Sequence, residues 1–316
     1  MKRLIARVSA LLAGGIVASA LVVPQSAAEP ATTADAATHR LAATGATAYW
    51  TPERMRDAVQ LDKIKLSRPT GLGDVRSGAP LKVGPTGAGP GDVTGEAWTE
   101  SGAVTHTAGR VFFTFDGKDS SCSANAVSSE NRSTVITAGH CVKYHGSWHS
   151  NWVFVPGYHN GEEPFGEWPA ESLHTTPQWK NGEDINYDIG AAVVRPVGGH
   201  RLTDVVGGQG IAFNQPRGQR TYAFGYPAAK PYDGSRLVYC AGTTFEDILF
   251  SNDQGLGCDM TGGASGGPWL TGFDPQTGTG VQSSVNSFSY LFLPNVLFGP
   301  YFGDAARELY QTAQRS

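Results

Sequence analysis

Short apolar or alternating segments recur along the chain from about residue 100, and turn residues separate them. They are GRVFFTFDG, STVITAG, NWVFVPG, YDIGAAVVRP, RTYAFGYP, SRLVYC, GGPWLTG and QSSVNSFSY. β-Branched and aromatic residues bounded by Gly, Pro, Asn or Ser are typical of β-strands. No segment with a helical period separates them, which disfavours a parallel α/β sheet. The pattern therefore predicts an all-β body, either one or two barrels or a sandwich.

Two segments have a helical pattern. Residues 51–66, TPERMRDAVQLDKIKL, predict a helix that Thr51 caps and that has Pro52 in its first turn. The segment GDAARELYQTAQ near the carboxyl end predicts a second helix, with Asp304 as its cap. Residues 29–50 are rich in Ala and Thr and are expected to be unstructured. Residues 67–97 have the Gly- and Pro-rich composition of a linker.

The first 28 residues have the pattern of a secretory signal peptide. Three basic residues, Lys2, Arg3 and Arg7, precede the apolar stretch VSALLAGGIVASALVV, and small residues follow Pro24. A membrane anchor is the alternative, but the stretch is short for a span and contains two glycines. We therefore predict a secreted, extracellular protein with a signal peptide (1–28), a propeptide and linker (29–97) and a body (98–316). A plain disordered tail is the alternative for 29–97.

Composition narrows the class of protein. Hydrophobic residues make up 40% of the 316, enough for a packed core, while 41 glycines and 19 prolines suit a turn-rich β protein. The formal net charge is −4, and no long basic run occurs. These features disfavour a nucleic-acid partner. No segment after the signal is apolar enough to cross a membrane, so we expect no membrane association once the signal is removed.

Four cysteines occur in the chain, at Cys122, Cys141, Cys240 and Cys258. An even number in an exported protein predicts disulfides, and three pairings are possible. A zinc site is the alternative, but no Cys-x-x-Cys spacing is present.

The run GGASGGP, residues 262–268, surrounds Ser265 with four glycines. Such a setting leaves the hydroxyl uncrowded and lets backbone N–H groups converge on one point, as a serine nucleophile requires. A glycine-rich surface turn is the alternative. The run also fits the G-x-S-x-G elbow of α/β-hydrolases, in which the histidine follows the serine. No histidine follows Ser265, so that interpretation fails.

The base for Ser265 must therefore come earlier in the chain. His140 ends the strand-like run VITAGHC, and an imidazole beside a serine hydroxyl can take its proton. A buried carboxylate would fix the tautomer of that imidazole. Asp188, at the mouth of the apolar run DIGAAVV, suits this role better than Asp184, whose surroundings are more polar.

In these residues the sequence resembles the chymotrypsin-like serine peptidases, above all their secreted bacterial branch of trypsin-like and glutamyl-specific enzymes. The motifs that carry the resemblance are TAGHC (137–141), DIG (188–190) and GASGGP (263–268), in that order. The resemblance covers residues from about 105 to 305. It implies two antiparallel six-stranded β-barrels with the active site between them, followed here by the carboxyl-terminal helix.

The resemblance also implies roles for individual residues. His140 would be general base and acid, Asp188 its orienting partner and Ser265 the nucleophile. The N–H groups of Gly263 and Ser265 would form the oxyanion hole. Cys141 would be bonded to Cys122, which holds the histidine turn, and we expect Cys240 to pair with Cys258.

Two positions depart from the pattern of the family's animal members. Those members carry an acid just before the serine, which receives the new amino terminus on activation, and this chain has Ala264 there. Activation through that ion pair is therefore not expected, although the propeptide still indicates a zymogen or a folding aid. Cys258 lies seven residues before Ser265, farther than is usual in animal enzymes.

Specificity is the weakest part of the resemblance. Asp259 lies six residues before the serine, where trypsin-like members hold an acid that pairs with Arg or Lys of the substrate. Ser287, on the strand after the serine, is expected at the same substrate pocket. If Asp259 faces solvent instead, this role fails. Glutamyl-specific members carry a histidine on that strand, and the run SVNSFS has none.

The sequence thus predicts a secreted serine endopeptidase that acts on protein or peptide substrates, with Arg or Lys before the cut. A glutamyl-specific endopeptidase, a hydrolase acting mainly on esters and a non-catalytic peptidase-like binding module are the alternatives. We expect no cofactor, and we expect the protein to be a monomer. His145, His149 and His159 lie close in sequence, but the run between the first two contains Gly and aromatic residues, so we expect no metal site there.

Overall fold

The computed structural model describes residues 36–42, 45–61, 64–66, 73–83 and 92–316. The predicted signal peptide, residues 1–28, lies outside this part of the chain. Within the described residues, no helix is long and apolar enough to cross a membrane.

The amino-terminal segment before residue 98 forms short elements, each against the body. They are β1 (Ala37–Arg40), α1 (Ala46–Tyr49), α2 (Pro52–Asp57), β2 (Val59–Gln60), β3 (Ile64–Leu66), β4 (Leu81–Val83) and β5 (Val93–Ala97). All five strands pair with strands of the body.

Three predictions for this segment need correction. Residues 29–50 were expected to be unstructured, but β1 and α1 are ordered elements there. The predicted helix over 51–66 ends at Asp57, and two strands follow it. Residues 67–97 have linker composition, yet β4 and β5 lie within them. In each case a free sheet edge of the body supplies hydrogen-bond partners that local sequence does not reveal. The capping prediction for Thr51 is confirmed, since its hydroxyl accepts from Arg54 N at 3.2 Å.

A closed antiparallel barrel of six strands forms the first half of the body, in the order β12-β11-β6-β7-β8-β13, with β13 returning to β12. The elements of this half are α3 (Val104–Thr107), β6 (Ala108–Phe115), β7 (Lys118–Ala126), β8 (Thr134–Thr137), β9 (Lys143–Tyr144), β10 (Ser147–Trp148), β11 (Ser150–Pro156), β12 (Trp168–Thr175), α4 (Pro177–Gly182) and β13 (Gly190–Val194). Two 3₁₀ turns, Gly139–Cys141 and Ile185–Tyr187, interrupt it.

The strands of the second half divide between two sheets. Its elements are α5 (Leu202–Val206), β14 (Gly210–Phe213), β15 (Arg220–Gly225), β16 (Val238–Thr243), β17 (Phe245–Glu246), β18 (Gln254–Gly257), β19 (Pro268–Asp274), β20 (Thr279–Val285), β21 (Phe288–Tyr290), β22 (Val296–Gly299) and α6 (Asp304–Gln314). One sheet has the order β4-β14-β20-β19-β15-β16-β5 and the other β17-β18-β22-β21-β3.

The predicted fold class is confirmed: the body is mainly β, with a closed six-stranded barrel and a helix near the carboxyl end. Helix α6 covers the first barrel, with Leu309 and Ala313 fully buried in its core. Asp304 opens the helix but does not cap it by a side-chain hydrogen bond. Its carboxylate instead accepts from Asn214 Nδ2 at 2.9 Å.

Candidate active site

The register of two neighbouring strands brings His140 and Asp188 together. In the β8–β13 pair, Gly190 lies opposite Thr137. The strands are antiparallel, so the residues just after β8 and just before β13 meet at the same end of the pair. His140 lies in the 3₁₀ turn that follows β8, and Asp188 ends the turn that precedes β13.

Two hydrogen bonds join these residues. His140 N donates to Asp188 Oδ1 at 2.8 Å, and His140 Nδ1 lies 2.7 Å from Asp188 Oδ2. Both side chains are fully buried. A carboxylate at this distance holds the proton on Nδ1 and leaves the lone pair of Nε2 available as a base.

The turn that carries His140 fits closely between its neighbours. A Cβ on Gly139 would lie 2.8 Å from the Trp179 ring and 2.9 Å from Asp188 Oδ1. Trp179 is itself fixed, since its Nε1 donates to Lys143 O at 2.8 Å. A side chain at position 139 would therefore push the imidazole away from its carboxylate.

Asp184, the alternative partner, has a different task. Its Oδ1 accepts from Asn186 N at 3.1 Å and its Oδ2 from Gly73 N at 2.7 Å. Asp184 thus caps the turn before Asp188 and binds the amino-terminal segment. The structure brings Asp188, and not Asp184, to His140.

The loop that carries Ser265 depends on its glycines. Gly263 and Gly266 have φ of +93° and +80°, in the left-handed region. A Cβ on Gly263 would lie 2.8 Å from Tyr226 O, and one on Gly266 only 2.0 Å from Thr137 Oγ1. The serine loop therefore lies directly against the end of β8, from which the His140 turn begins.

Ser123 ties the serine loop to the first barrel. Its N–H donates to Ser265 O at 2.7 Å, and its hydroxyl donates to Gly263 O at 2.8 Å. The preceding residue, Cys122, is bonded to Cys141, which follows His140. Ser265 and His140 thus share one framework, although nothing in the sequence around Ser123 indicates this task.

Asn286 holds the loop from the other side. Its Nδ2 donates to Ala264 O and to Phe224 O, both at 2.8 Å, while its Oδ1 accepts from Trp269 Nε1 at 2.7 Å. The buried amide fixes the backbone before the serine, and the Asn286 backbone fixes it after the serine, since Asn286 O accepts from Gly266 N at 2.7 Å. The sequence offered no signal for this residue beyond its place beside Ser287.

Ser265 Oγ and His140 Nε2 are both buried, and neither has a hydrogen-bond partner within the described residues. Both atoms are therefore free to bind a substrate, since catalytic hydrogen bonds often tighten only when substrate binds.

The Gly263 N–H, the expected oxyanion-hole donor, already makes a hydrogen bond. Its N–H donates to Leu61 O of the amino-terminal segment at 3.2 Å. This contact shows that the N–H points into a space that a carbonyl oxygen can enter.

Both predicted disulfides are present. Cys122–Cys141 has a Cα–Cα distance of 6.2 Å and Cys240–Cys258 one of 5.5 Å. His140 lies near the first pair, so these residues form a possible ligand group by distance alone. Their sulfur atoms are bonded to each other, so they are not thiolate ligands.

Ser287 and Asp259 lie in different surroundings. The Ser287 hydroxyl donates to Asp188 Oδ2 at 2.5 Å and is fully buried. Asp259 is exposed, and its Oδ1 accepts from the Tyr232 hydroxyl at 2.6 Å. An exposed carboxylate that already has a partner gives no support to the expected pocket-floor role for Asp259.

The three nearby histidines do not converge on one point. His145 stacks on Tyr144, and His159 lies 3.1 Å from Glu162. His149 is buried against the Phe113 ring at 4.3 Å, and its Nε2 donates to His140 O at 2.9 Å. Burial lowers the pKa of His149 to about 3, so this residue is neutral and supports the backbone of His140.

Comparison with known proteins relates the chain to bacterial proteases. The protease Anisep from Arthrobacter nicotinovorans is 41% identical and has a TM-score of 0.65; the match covers 71% of this chain and all of that one. The thermostable serine protease AL20 from an extremophilic microorganism is 46% identical and has a TM-score of 0.64; the match covers 68% of this chain and 99% of that one. A Glu endopeptidase shares the fold at 18% identity and a TM-score of 0.57, over 72% of this chain and 99% of its own.

Other comparisons are narrower. An extracellular metalloprotease of Bacillus subtilis (strain 168) is 38% identical over 63 residues, and the match spans 19% of this chain and only 20% of that relative. No protein-family model matches the chain. The two long matches at over 40% identity, together with the barrel fold, identify the family. The chain belongs to the bacterial chymotrypsin-like serine proteases.

Proposed function

We propose that the protein is a secreted serine endopeptidase in which Ser265 attacks the peptide carbonyl and His140 takes its proton. The observations that carry this proposal are the buried Asp188–His140 pair and Ser265, which lies on a loop bound to the same Ser123 framework and whose hydroxyl has no partner among the described residues. The export pattern of residues 1–28 and the two disulfides support secretion. We further propose a monomer whose residues 29–97 act as a propeptide.

The proposed reaction has two halves. Ser265 Oγ bonds to the carbonyl carbon while its proton passes to His140 Nε2, and Asp188 stabilises the imidazolium that forms. The N–H groups of Gly263 and Ser265 would hold the oxygen that becomes negative, a contribution of about 3 kcal/mol per donor in related chemistry. His140 then gives the proton to the leaving amine, and water repeats the sequence to release the acid.

Residue preference before the cut does not follow from Asp259. The exposed position of Asp259 removes the main support for cleavage after Arg or Lys. We therefore propose that Asp259→Ser leaves the ratio of kcat/KM between matched Arg and Leu peptides unchanged. A loss of Arg preference in this variant would restore Asp259 as the determinant.

The nucleophile is tested by Ser265→Ala in a preparation freed of the amino-terminal segment. The variant should fold but lose labelling by a serine-directed fluorophosphonate, while Ser283→Ala should label as the unchanged protein does. Undiminished labelling of Ser265→Ala would refute the assignment. Matched peptide and ester substrates, assayed together, separate an endopeptidase from an esterase. Absence of turnover on both would indicate a binding module.

A further inference from the structure

A cavity of about 650 Å³ lies between the first barrel and the loop that joins β15 to β16. Its walls come mainly from Arg110 of β6, from the stretch 158–161 after β11 and from the loop 227–236, while Arg56 and Ala97 of the amino-terminal segment complete it. A cavity of this size can hold a side chain or a small ligand. It is called here the Arg110 cavity.

The lining of the Arg110 cavity is positively charged. It includes three arginines, Arg56, Arg110 and Arg236. Among the described residues of the lining, Asp233 is the one acid. The Asp233 carboxylate accepts from Ser235 N at 2.9 Å and from the Ser235 hydroxyl at 2.6 Å, so it is held within its own turn. The excess of positive charge favours an anion in the cavity.

Arg110 lies inside the protein, with only 4% of its surface exposed. Its Nη2 donates to Ser121 Oγ at 2.7 Å, and its guanidinium carbon lies 4.7 Å and 5.1 Å from the centres of the Phe112 and Tyr158 rings. Within the described part of the chain, Arg110 Nε has no hydrogen-bond partner and no carboxylate forms an ion pair with Arg110. A buried cation without a carboxylate partner is costly, and an anion bound beside it would offset that cost.

The position of Gly234 keeps the space beside the guanidinium open. A Cβ on this residue would lie 3.1 Å from Arg110 Nη1, and its φ of +75° also favours glycine. Arg236, two residues later on the same loop, is exposed. A ligand that enters from solvent therefore meets Arg236 first and Arg110 at the inner end.

Ser121 connects the Arg110 cavity to the proposed active site. Its hydroxyl binds Arg110, while its carbonyl oxygen accepts from Leu61 N at 2.9 Å. The carbonyl oxygen of Leu61 in turn accepts from Gly263 N, the proposed oxyanion donor, at 3.2 Å. A single residue of an extended chain thus spans from the Gly263 N–H to the strand that borders the cavity.

The loop 227–236 reaches the serine loop as well, because Ala228 N donates to Gly262 O at 2.7 Å. Strand β2 pairs with β7 and β3 with β21, so the chain on one side of Leu61 contacts β7 and the chain on the other side contacts β21. Strand β21 follows Ser287, which we expect at the pocket for the residue before the cut. The residues after the cut would then run along β7, towards the Arg110 cavity.

We propose that the Arg110 cavity binds the carboxylate of an Asp or Glu side chain located among the first three residues after the cut, with Arg110 and Arg236 as its partners. Three extended residues span about 10 Å. This inference rests on the proposed function, because it assigns a substrate class to the same cleft. Arg56 belongs to the proposed propeptide, so Arg110 and Arg236 act without it in the active protein.

The buried guanidinium explains why a carboxylate is preferred to the amide of the same size. Arginine binds a carboxylate through two parallel N–H groups, and the bound charges leave water together. Glutamine cannot neutralise the cation, and a site that holds a buried polar group rejects an analogue that leaves it unpaired. Lysine adds a second cation and is repelled.

The test measures kcat/KM with the active protein that expression of the full chain yields, its concentration fixed by fluorophosphonate titration. The peptides share one residue before the cut, the one that the unchanged protein accepts best among Arg, Glu, Phe and Leu. They carry Glu, Gln or Lys at one of the first three positions after the cut. At one of these positions the Glu peptide should exceed the Gln peptide by about tenfold, and the Lys peptide should fall below both.

Three variants assign this preference to the cavity. Arg110→Gln removes the charge and should bring the ratio of kcat/KM between the Glu and Gln peptides to about one. Arg110→Lys keeps the charge without the planar fork and should retain part of the ratio. Arg201→Gln is the matched control, because it removes the same charge from an exposed residue outside the cavity and should leave the ratio unchanged.

A further variant covers the case in which Arg110→Gln does not fold, as judged by its thermal unfolding. Arg236 is exposed, and Arg236→Gln should lower the Glu-to-Gln ratio by about two- to threefold. When Arg110→Gln folds, an unchanged ratio in that variant overturns the proposal. When it does not fold, an unchanged ratio in Arg236→Gln overturns it.

The same measurements separate the two levels of inference. Equal kcat/KM for the Glu and Gln peptides at all three positions would overturn the carboxylate site and leave the proposed function standing. Cleavage of none of the peptides would refute the proposed function itself. If Glu gives no advantage, but inorganic phosphate raises the thermal unfolding midpoint of the unchanged protein and not that of Arg110→Gln, the cavity binds a free anion and the substrate role is wrong.

Discussion

The carboxylate of Asp188 accepts three hydrogen bonds, from His140 N, from His140 Nδ1 and from the Ser287 hydroxyl. Two of them converge on Oδ2, so the Ser287 hydroxyl fixes the oxygen that faces the imidazole. Hydrogen bonds to a charged group contribute more than those between neutral groups, typically about 1.5–3 kcal/mol. Ser287 is therefore a positioning residue for His140 in the proposed mechanism.

Ser287→Ala should lower kcat by about tenfold and leave KM nearly unchanged, because the lost hydrogen bond acts on the imidazole and not on the substrate. Steady-state kinetics on one peptide substrate would measure both constants. Ser289→Ala is the matched control, since that buried hydroxyl donates only to Val296 O. An unchanged kcat for Ser287→Ala would show that Asp188 holds its orientation without it.

His149 links stability to pH. The pKa of this histidine is lowered to about 3 by burial, while in the unfolded chain it has its ordinary value of about 6.5. Between these values the unfolded state binds a proton that the folded state does not, so the free energy of unfolding falls as the pH falls below 6.5. Above pH 6.5 the full contribution is present.

The test uses a Ser265→Ala background, which prevents self-digestion. The free energy of unfolding should fall between pH 7 and pH 5, and His149→Gln should make that fall smaller by about 2 kcal/mol. Urea unfolding at the two pH values gives the difference. His174, whose pKa burial lowers to about 4, is still present in the variant and retains its own share of the pH dependence. Parallel pH profiles for the two proteins would contradict the assignment to His149.

The four cysteines allow a controlled comparison between elements. The bonded cysteines are 19 and 18 positions apart in the sequence, so removal of either disulfide costs nearly the same through chain entropy, about 3 kcal/mol. Only Cys122–Cys141 joins the Ser123 strand to the His140 turn.

Replacement of Cys122 and Cys141 by alanine should lower kcat more than replacement of Cys240 and Cys258, at similar losses in unfolding free energy. We expect a difference of about tenfold or more, since a misplaced general base weakens every proton transfer. Chemical denaturation and kinetics on the folded fraction would test this. Equal kcat losses in the two double variants would mean that the first bridge serves stability alone.

Helix α6 offers a simpler test at the same scale. Leu309 is fully buried in the core of the first barrel. Leu309→Ala should reduce the free energy of unfolding by about 2–5 kcal/mol through the cavity it creates. Gln311→Ala on the partly exposed side of the helix should change it by less than about 0.5 kcal/mol. A small effect of Leu309→Ala would indicate that the helix is not part of the cooperative core.

The sequence predicted the body better than the segment before it. Strands β6, β8 and β11 follow from short apolar runs bounded by turn residues, and the glycines around Ser265 indicated a site from sequence alone. The helix prediction failed for residues 58–61 and 64–66 because strands β2 and β3 there depend on pairing with β7 and β21, which lie far along the chain. Local strand propensity does not indicate that β7 and β21 offer free edges for pairing.

At the scale of the molecule, the site is assembled from both halves. Ser123 and Thr137 of the first barrel meet Gly263 and Gly266 of the second half, at distances that leave no room for a Cβ on Gly266. Motif order predicted that His140, Asp188 and Ser265 act together. The bridging roles of Ser123 and Asn286 could not be predicted, because common polar residues acquire such roles only through long-range contacts.

The amino-terminal segment binds through five separate ladders, β1 to β5, of two to five residues each. Each strand is too short to bind stably as a separate peptide. It stays paired because its covalent neighbours are also bound, which gives it a high effective concentration at its site. One break in the connecting chain would therefore weaken several ladders at once. The segment should then be released largely with the first break, as a multivalent ligand is when its linker is cut, and not in five equal steps.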